Sequence, residues 1–469
     1  MTRRLTRRDG LLTALFGTGY IGLRALATGL PAWFLLNPRS ANAQSLQCAI
    51  TSTANLQYLI LSTSSMGDPL NCNCPGTYDG TTAAASAIHP QQAEVAATSL
   101  TLGGKTYQAA LPWSPLPAGT AATTGQPLAA SVLARTCFFH HTTGTTVHGD
   151  QPKVMKLLGD INGGEMLVSA IAKHLSACFG TVQPAPVSIG AGSNASEFVS
   201  YSGSTLPSIS PLQLKQLLAA STNNPLVNLR SIRDTSLNAL NALAKSDGNV
   251  VQQQFLDALA TSQTQVRTLS DQLATTLNAI KDDTVTGQAL AAAALIAANV
   301  TPCVTMHIPF GGDNHVDQNL QAEADQTVSG VAGIQLVMNA LASLSLTDKV
   351  TFATLNVFGR NLNNTSTSMS RSGRDHYGNH CVTVMIGKNV APSVIGGLTL
   401  DSTGSCEASG IDSSTGAADP SGDISADNSH DAAARTLGAA LGIPASVMNA
   451  DFISTAGGAV VPAAVVAVP

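Results

Sequence analysis

Five short hydrophobic runs, rich in β-branched or aromatic residues, predict β-strands along this chain. Their hydrophobic character is nearly continuous rather than alternating, which is typical of strands that are covered on both faces, as in parallel α/β sheets. The runs are Tyr58–Ser62, Thr136–His140, Cys303–Ile308, Val350–Phe358 and Cys381–Ile386.

Amphipathic helical patterns separate several of these runs. Glu165–Phe179 and Asn319–Leu344 carry apolar residues at helical spacing, and each lies between two predicted strands. Strands that alternate with helices along a chain are typical of α/β proteins, in which helices cover both faces of the sheet. We therefore expect an α/β fold built on a doubly wound, mostly parallel sheet.

Residues 210–299 show only helical patterns, with no strand between them. They predict a helical insertion that separates an N-terminal half of the core, residues 44–209, from a C-terminal half, residues 300–400. The predicted helices are Pro211–Ala219, Val227–Ala244, Val250–Lys281 and Thr286–Asn299.

The C-terminal segment, residues 401–469, is predicted to be a flexible loop followed by a terminal helix and a tail. Residues 401–430 are rich in Asp, Ser, Gly, Thr and Ala, which indicates a long surface loop. The helix is expected at Ala432–Gly442. The apolar tail, Ala456–Val468, is too short to span a bilayer and contains a proline.

Residues 1–43 have the pattern of an export signal. Arg7 and Arg8 lie in a basic stretch that resembles the twin-arginine motif, an apolar run follows, and Ala41-Asn42-Ala43 matches a small-x-small cleavage site. We expect the mature chain to begin at Gln44 and to be periplasmic or secreted, with no stable membrane span; an uncleaved N-terminal anchor is the alternative.

The charge balance argues against a nucleic-acid partner. The whole chain has 23 basic and 28 acidic residues, and the predicted signal contains six Arg and one Asp. Removing it leaves 17 basic and 27 acidic residues, a net charge of −10. Proteins that bind nucleic acid need basic surface to neutralise phosphates, so no nucleic-acid partner is expected, and a small molecule or a glycan is the alternative class of partner.

All eight cysteines lie in the predicted mature chain, an even number that is compatible with disulfides in an exported protein. Four lie in polar, loop-like surroundings and are the better disulfide candidates: Cys48, Cys72, Cys74 and Cys406. The other four lie in apolar segments and are expected to be buried thiols: Cys137, Cys178, Cys303 and Cys381.

Acidic and histidine side chains collect just beyond the predicted strand ends. Ligands of open α/β sheets bind at the carboxyl ends of strands, and Asp and His there suit a metal-dependent hydrolase. The alternative is two polar loops whose side chains cap nearby backbone groups. The candidate metal ligands are Asp68, Asp313, His315, Asp375, His376 and His380.

Three motifs resemble those of a large bacterial group of twin-arginine-exported proteins that is known as a domain of unknown function. The group's Gly-Trp-Asp-Thr-His is matched by Asp313 and His315, and the end of its Ser-Glu-Phe-Gly-Arg is matched by Phe358-Gly359-Arg360. Its Gly-Thr-Asp-His-Gly is matched by the segment around Asp375-His376, with Met385-Ile386-Gly387 behind it. The group is similar in turn to the alkaline phosphatase and sulfatase superfamily.

This resemblance implies an alkaline-phosphatase-like sheet and the hydrolysis of phosphate or sulfate esters. One or two divalent ions would polarise the ester, and mixed carboxylate and imidazole ligands suit Zn²⁺, Mn²⁺ or Fe better than Ca²⁺. Thr146 is the candidate nucleophile, with Thr145 as its alternative, because a helix start follows where backbone amides can hold an anion. Arg360 is expected either to clamp the ester oxygens or to pair with a loop Asp.

Two departures from the motifs keep a second class of function open. Val357 stands where the group has Glu, and the group's Ser-His-Phe segment is matched only by Thr146-Val147-His148. A degenerate, non-catalytic exported binding or surface protein on a sulfatase-like scaffold is therefore the alternative. A serine esterase is a weaker option, because no Gly-x-Ser-x-Gly elbow occurs.

Overall fold

A computed structural model describes most of the chain beyond the predicted signal. The described residues are 48, 50, 52–80, 82–115, 127–181, 183–190, 199–218, 230–246, 253, 271–363, 373–453 and 458–466. The predicted signal peptide, residues 1–43, and most of the predicted helix Val250–Lys281 lie outside them.

Eight strands form the central sheet of the described chain. In chain order they are β1 (Tyr58–Ser64), β2 (Thr136–His141), β3 (Val187–Ile189), β4 (Ser208–Ile209), β5 (Cys303–Met306), β6 (Val350–Asn356), β7 (Cys381–Ile386) and β8 (Ser393–Ile395). Their spatial order is β8-β2-β7-β6-β1-β5-β3-β4, and β7 alone among them runs antiparallel to both of its neighbours. The predicted α/β class and mostly parallel sheet are confirmed.

Helices cover both faces of this sheet. The side chains of β1 alternate, so Leu59 and Leu61 join one apolar core while Ile60 joins the other. The first core also includes residues of helices Leu167–Phe179 and Ser429–Ala440, and the second includes residues of Val285–Ala297 and Gln321–Ser343. The two layers explain why the strands are hydrophobic throughout.

Smaller elements complete the described structure. Two-stranded sheets pair Ala97–Leu102 with Lys105–Ala110, Val199–Tyr201 with Ser204–Leu206, Gly359–Arg360 with His376–Tyr377, and Leu398–Leu400 with Cys406–Ala408. Further α-helices are Thr82–Ser86, Ala130–Leu133, Gln151–Met155, Pro211–Leu218, Arg230–Ser246, Asp271–Ala279 and Ala445–Asn449. Short 3₁₀ turns are Pro69–Cys72, Ala93–Val95, Leu111–Trp113, His148–Asp150, Leu157–Gly159, Asn162–Gly164, Gln318–Leu320, Ala426–Asn428 and Pro462–Ala464.

The segment predicted as a helical insertion, residues 210–299, contains only helices among its described elements. Its last helix, Val285–Ala297, belongs to the layer that covers the sheet, however, and Ala291 to Leu295 are completely buried. This helix is therefore part of the core. The predicted boundary at residue 299 assigns it to the insertion, although it covers the sheet.

The segment predicted as a flexible surface loop, residues 401–430, is built into the fold. It contributes strand Cys406–Ala408, and it buries Ile411 and Ile424 in the same apolar core as helix Ser429–Ala440. Ile411 and Ile424 also exchange backbone hydrogen bonds. The surface-loop prediction is therefore wrong for these residues, because scattered hydrophobic residues in a polar composition gave no periodic signal.

One disulfide joins Cys48 to Cys178 in the described chain. Cys178 was predicted to be a buried thiol, and that prediction is wrong. Cys72, Cys74 and Cys406, the other predicted disulfide candidates, are free and buried, as are the three remaining cysteines. The spacing of the cysteines along the chain does not reveal that the C-terminal end of helix Leu167–Phe179 lies beside Cys48.

Among the described residues, no helix combines the length and the apolar character that crossing a bilayer requires.

Two carboxyl groups share a partly buried site at the start of helix Ser429–Ala440. Burial first, and then the adjacent carboxyl group of Asp160, raise the pKa of Asp431 to about 7, against the pull of Arg435. Because the folded-state pKa of Asp431 lies above its unfolded value, its protonated carboxyl group contributes to the stability of the fold. This contribution is fully present below the unfolded pKa and is lost as the pH rises through 7.

We therefore expect Asp431→Asn to raise the melting temperature at pH 8 by about 2 °C or more, because Asn mimics the protonated carboxyl group. At pH 4 the variant and the wild type should melt together. Melting curves from pH 4 to pH 9 check this, and a variant that melts below the wild type at pH 8 would contradict it.

Candidate functional site

Four loops meet at one edge of the sheet. The parallel strands β1, β2 and β5 end there, and the antiparallel β7 begins there. The direction of β7 therefore places the loop before it, residues 373–380, beside the loops that follow the other three strands. This is the edge where the sequence predicted a ligand site.

Backbone hydrogen bonds lock these loops together. Thr143 N and Gly144 N donate to Gly378 O at 2.8 and 3.1 Å, and Gly373 N donates to His315 O at 2.9 Å. A Cβ atom at Gly373 would lie 1.8 Å from the carbonyl oxygen of Asn314, so only glycine allows this approach. The side chains of three loops are thus held at fixed separations.

Asp313 lies at the centre of a cluster of histidines. Its Oδ1 is 3.0 Å from His376 Nε2, 3.1 Å from His315 Nε2 and 3.1 Å from Arg360 Nη2. Its Oδ2 is 3.6 Å from His148 Nε2. The side chains of Asp313, His148 and His376 are 40, 36 and 21% exposed, so the cluster can be reached from solvent.

The hydrogen bonds of two histidines determine which ring nitrogen faces Asp313. His376 Nδ1 donates to the carbonyl oxygen of Thr146 at 2.8 Å, and His148 Nδ1 donates to that of Ser65 at 2.7 Å. A carbonyl oxygen only accepts, so Nδ1 carries a proton in both rings, and the lone pair of a neutral ring is then on Nε2. This is how metal-binding histidines are oriented by their outer partners.

Each neutral tautomer of His315 places a ring lone pair against another lone pair or a carboxylate. Its Nε2 is 2.9 Å from His376 Nε2, and its buried Nδ1 is 3.3 Å from Asp375 Oδ1 without the alignment of a hydrogen bond. A proton on Nδ1 makes two Nε2 lone pairs face each other, whereas a proton on Nε2 turns the Nδ1 lone pair toward a carboxylate. A cation in the cluster, or an imidazolium at His315, removes the conflict.

The ligand atoms of His148, Asp313 and His376 lie within 4.8 Å of one another. Two ligands on one zinc ion are at most about 4.4 Å apart, because each bond is roughly 2.0–2.2 Å, so small side-chain movements would suffice to bind one. Two imidazoles and a carboxylate match the donor sets of Zn²⁺, Mn²⁺ and Fe²⁺ sites that keep open positions.

The protonation states of this cluster also suit a cation. Burial lowers the pKa of His376 below its ordinary value, in spite of the neighbouring carboxylate of Asp313. Partial burial works to raise the pKa of Asp313, but its contacts with His376 and Arg360 hold it below its usual value. At neutral pH the site therefore offers a carboxylate and a neutral imidazole.

Arg360 does not act as a clamp on a ligand. Its side chain is fully buried, and it donates to the backbone carbonyls of Gly67, Met66 and Gly312 as well as to Asp313. The alternative that the sequence offered, an ion pair with a loop Asp, is what forms. Arg360 positions the central carboxylate rather than contacting an ester.

Asp68 is buried beside this cluster but is not part of its ligand group. Neither carboxylate oxygen has a well-aligned hydrogen bond among the described residues, and burial raises its pKa against the charges of His307 and Arg360. The predicted convergence of Asp68 with the other ligands is limited to a shared electrostatic interaction with Arg360.

His380, another predicted ligand, lies in a separate buried network. Its Nδ1 is 2.9 Å from Asn71 Nδ2 and its Nε2 is 3.0 Å from His140 Nδ1, while His140 Nε2 bonds to the carbonyl oxygen of Pro75 at 2.9 Å. Both ring nitrogens of His380 are therefore occupied. Its prediction as a metal ligand does not fit this geometry.

The two predicted nucleophiles have other roles. Thr145 Oγ1 donates to Asp150 Oδ2 at 2.8 Å and accepts from Val147 N, so it stabilises a turn. Thr146 contributes its backbone carbonyl, which orients His376. Among the described residues, no base contacts the Thr146 hydroxyl, and the Asp150 carboxylate that accepts from Thr145 is itself paired with Lys153, which lowers its pKa and makes it a weak base.

His148 is a candidate ligand that the sequence analysis missed. It follows β2 within the Thr146-Val147-His148 segment, so the rule that placed candidates just beyond strand ends also applies to it. The resemblance of this segment to the group's Ser-His-Phe segment indicated a nucleophile rather than a ligand. At the position of the missing Glu, Val357 is completely buried and offers no carboxylate.

Comparison with known proteins gives a family without an assigned activity. No curated protein matches the chain. The match to a family model covers residues 168–411, just over half of the 469 residues, and includes Asp313, His315 and His376 but not His148. The chain thus belongs to the family described as "Protein of unknown function (DUF1501)".

Proposed function

We propose that the chain is a metal-dependent hydrolase of ester bonds, with the ion held by His148, Asp313 and His376. The observation that carries this proposal is the orientation of the two histidines. Both rings commit Nδ1 to a backbone carbonyl and turn an Nε2 lone pair toward one carboxylate. Capping of nearby backbone does not require this convergence.

Each residue has a distinct role in the proposed site. The ligand atoms come from His148, His376 and Asp313, and Arg360 holds Asp313 in place by a hydrogen bond. His315 lies against both Asp313 and His376 and can bind the ion or accept a proton. A bound divalent ion would supply Lewis-acid polarisation of an ester oxygen and activation of a water molecule.

This mechanism differs from the one that the sequence implied, because it uses no protein nucleophile. The donor set favours Zn²⁺, Mn²⁺ or Fe over Ca²⁺. Phosphate or sulfate esters are the proposed substrates, on the basis of the motif resemblance to the alkaline phosphatase and sulfatase superfamily. Export to the periplasm or beyond is proposed from the twin-arginine pattern, and the Cys48–Cys178 disulfide supports it.

A non-catalytic metal-binding protein is the second candidate. Two observations favour it: a buried apolar side chain, Val357, stands where the motif has a carboxylate, and among the described residues neither the Thr145 nor the Thr146 hydroxyl contacts an unpaired base. In that case the same three residues bind an ion, and no ester is cleaved.

We expect Asp313→Asn and His376→Gln each to weaken Zn²⁺ or Mn²⁺ binding by more than about 100-fold, since even outer partners of metal ligands contribute 10–100-fold. Elemental analysis of the purified protein and calorimetric titration with ZnCl₂ and MnCl₂ measure this directly. Metal-dependent hydrolysis of 4-nitrophenyl phosphate or 4-nitrophenyl sulfate then separates the enzyme from the binding protein.

The matched control is His174→Gln. His174 also pairs with a carboxylate, that of Asp451 at 2.5 Å, and the two side chains are 19 and 21% exposed. This variant should bind metal as the wild type does. Wild-type protein that binds neither metal, or an Asp313→Asn variant that binds as tightly as His174→Gln, would rule out the site.

A further inference from the structure

Three exposed apolar side chains lie on the loops that carry the metal-ligand cluster. Met66, Val147 and Val316 are 42, 56 and 70% exposed. They lie on the three separate loops that follow β1, β2 and β5, and we call them the apolar rim. Single exposed hydrophobic residues are common, but three from distant parts of the chain beside one polar cluster are not accounted for by folding.

The backbone ties each rim residue to the cluster. The carbonyl oxygen of Met66 accepts from Arg360 Nη2 at 2.8 Å, and the same nitrogen donates to Asp313. Val147 lies between Thr146, whose carbonyl orients His376, and the ligand His148. These hydrogen bonds hold two of the rim residues close to the ligand atoms.

Val316 is tied to the cluster in the same way. It directly follows His315, whose Nε2 is 2.9 Å from His376 Nε2 and whose carbonyl oxygen accepts from Gly373 N. At 70% it is the most exposed of the large hydrophobic side chains in the described chain. The backbone at Val316 is thus fixed by the same loop contacts that fix the ligands.

An aromatic ring packs against two of the candidate ligands. Phe358 is completely buried, and its ring centroid is 4.4 Å from that of His376 and 5.0 Å from that of His148. The imidazoles are therefore backed by an apolar ring and bordered by the apolar rim. A group that extends from the ion over this border meets hydrophobic side chains.

We propose that the ligand of this site is an ester of an apolar alkyl or aryl alcohol, whose polar head binds the cluster and whose apolar group covers the rim. This inference rests on the proposed function and names its substrate class. Each methylene that the rim buries adds about 0.8 kcal/mol, or roughly a factor of four in affinity.

The experiment compares hexyl sulfate with methyl sulfate as ligands of the zinc-loaded protein, by calorimetry. The wild type should bind hexyl sulfate at least about tenfold more tightly, because part of the longer chain is buried. The double variant Val147→Ser/Val316→Ser should reduce this preference to about threefold or less while binding zinc normally. The matched control is Val466→Ser, since Val466 is 66% exposed and is not one of the rim residues.

The outcomes separate this inference from the proposed function. Failure of the wild type to bind either zinc or manganese would overturn the proposed function itself. Normal zinc binding with no preference for hexyl sulfate, or with a preference that the rim variant retains, would overturn the inference alone. A preference lost in the rim variant and kept in Val466→Ser establishes the substrate class.

Discussion

Replacing Arg374 with Met should lower the free energy of unfolding by about 3–5 kcal/mol, because it leaves a buried carboxylate without its partner. The side chains of Arg374 and Glu323 are both completely buried, with Nε–Oε2 and Nη2–Oε1 separations of 2.5 and 3.0 Å. Arg374 also donates to the backbone carbonyls of Ile88, Asn361 and Leu362. The substitution removes all of these interactions at once.

The ion pair also connects the fold to the candidate site. Glu323 lies in the first turn of helix Gln321–Ser343, and Arg374 immediately precedes Asp375 and His376. We therefore expect Arg374→Met to weaken metal binding as well as stability, since the loop that presents His376 loses its attachment to the helix.

Urea unfolding followed by circular dichroism measures the loss of stability. Arg135→Met is the matched control, because Arg135 pairs with Asp348 at 2.7 Å on the surface, where such a pair contributes about 0–1 kcal/mol. The double variant Arg374→Met/Glu323→Leu should recover part of the loss, since no charge is then left buried. Equal midpoints for Arg374→Met and Arg135→Met would contradict the argument.

Five of the eight sheet strands were predictable because they are short, nearly continuous hydrophobic runs, whereas Val187–Ile189, Ser208–Ile209 and Ser393–Ile395 are too short to give such a signal. The observed strand Cys381–Ile386 has the predicted bounds, and the other four predicted strands were found within a few residues of their predicted ends. The direction of that strand was not predictable, because hydrophobicity carries no information on whether neighbours run parallel or antiparallel. Its reversal is what brings His376 to the carboxyl ends of the other strands.

The site was predictable as a place on the sheet rather than as a set of ligands. Asp313, His315 and His376 do meet, as their positions beyond strand ends indicated. His380 was equally close to a strand end, yet its ring turns into a buried network with His140. Which way a side chain points depends on one residue of register and on partners from distant loops, and neither is encoded in local sequence.

Breaking the Cys48–Cys178 disulfide should cost about 4 kcal/mol of stability. The two cysteines are 130 residues apart, and a cross-link over a loop of that length removes a large part of the unfolded chain's entropy. In the folded chain the bond attaches the N-terminal segment to helix Leu167–Phe179, which covers one face of the sheet. The helix end is further held by Phe179, whose ring stacks on Tyr58 at 4.0 Å.

Urea unfolding of the oxidised wild type, the reduced wild type and the double variant Cys48→Ala/Cys178→Ala tests this expectation. The reduced protein and the double variant should unfold at similar, lower urea concentrations, and reductant should not change the midpoint of the variant. The six free cysteines are buried, so a shift on reduction reports on this bond. A wild type whose midpoint is unaffected by reductant would show that the bond does not stabilise the fold, and it would remove the structural support for export to an oxidising compartment.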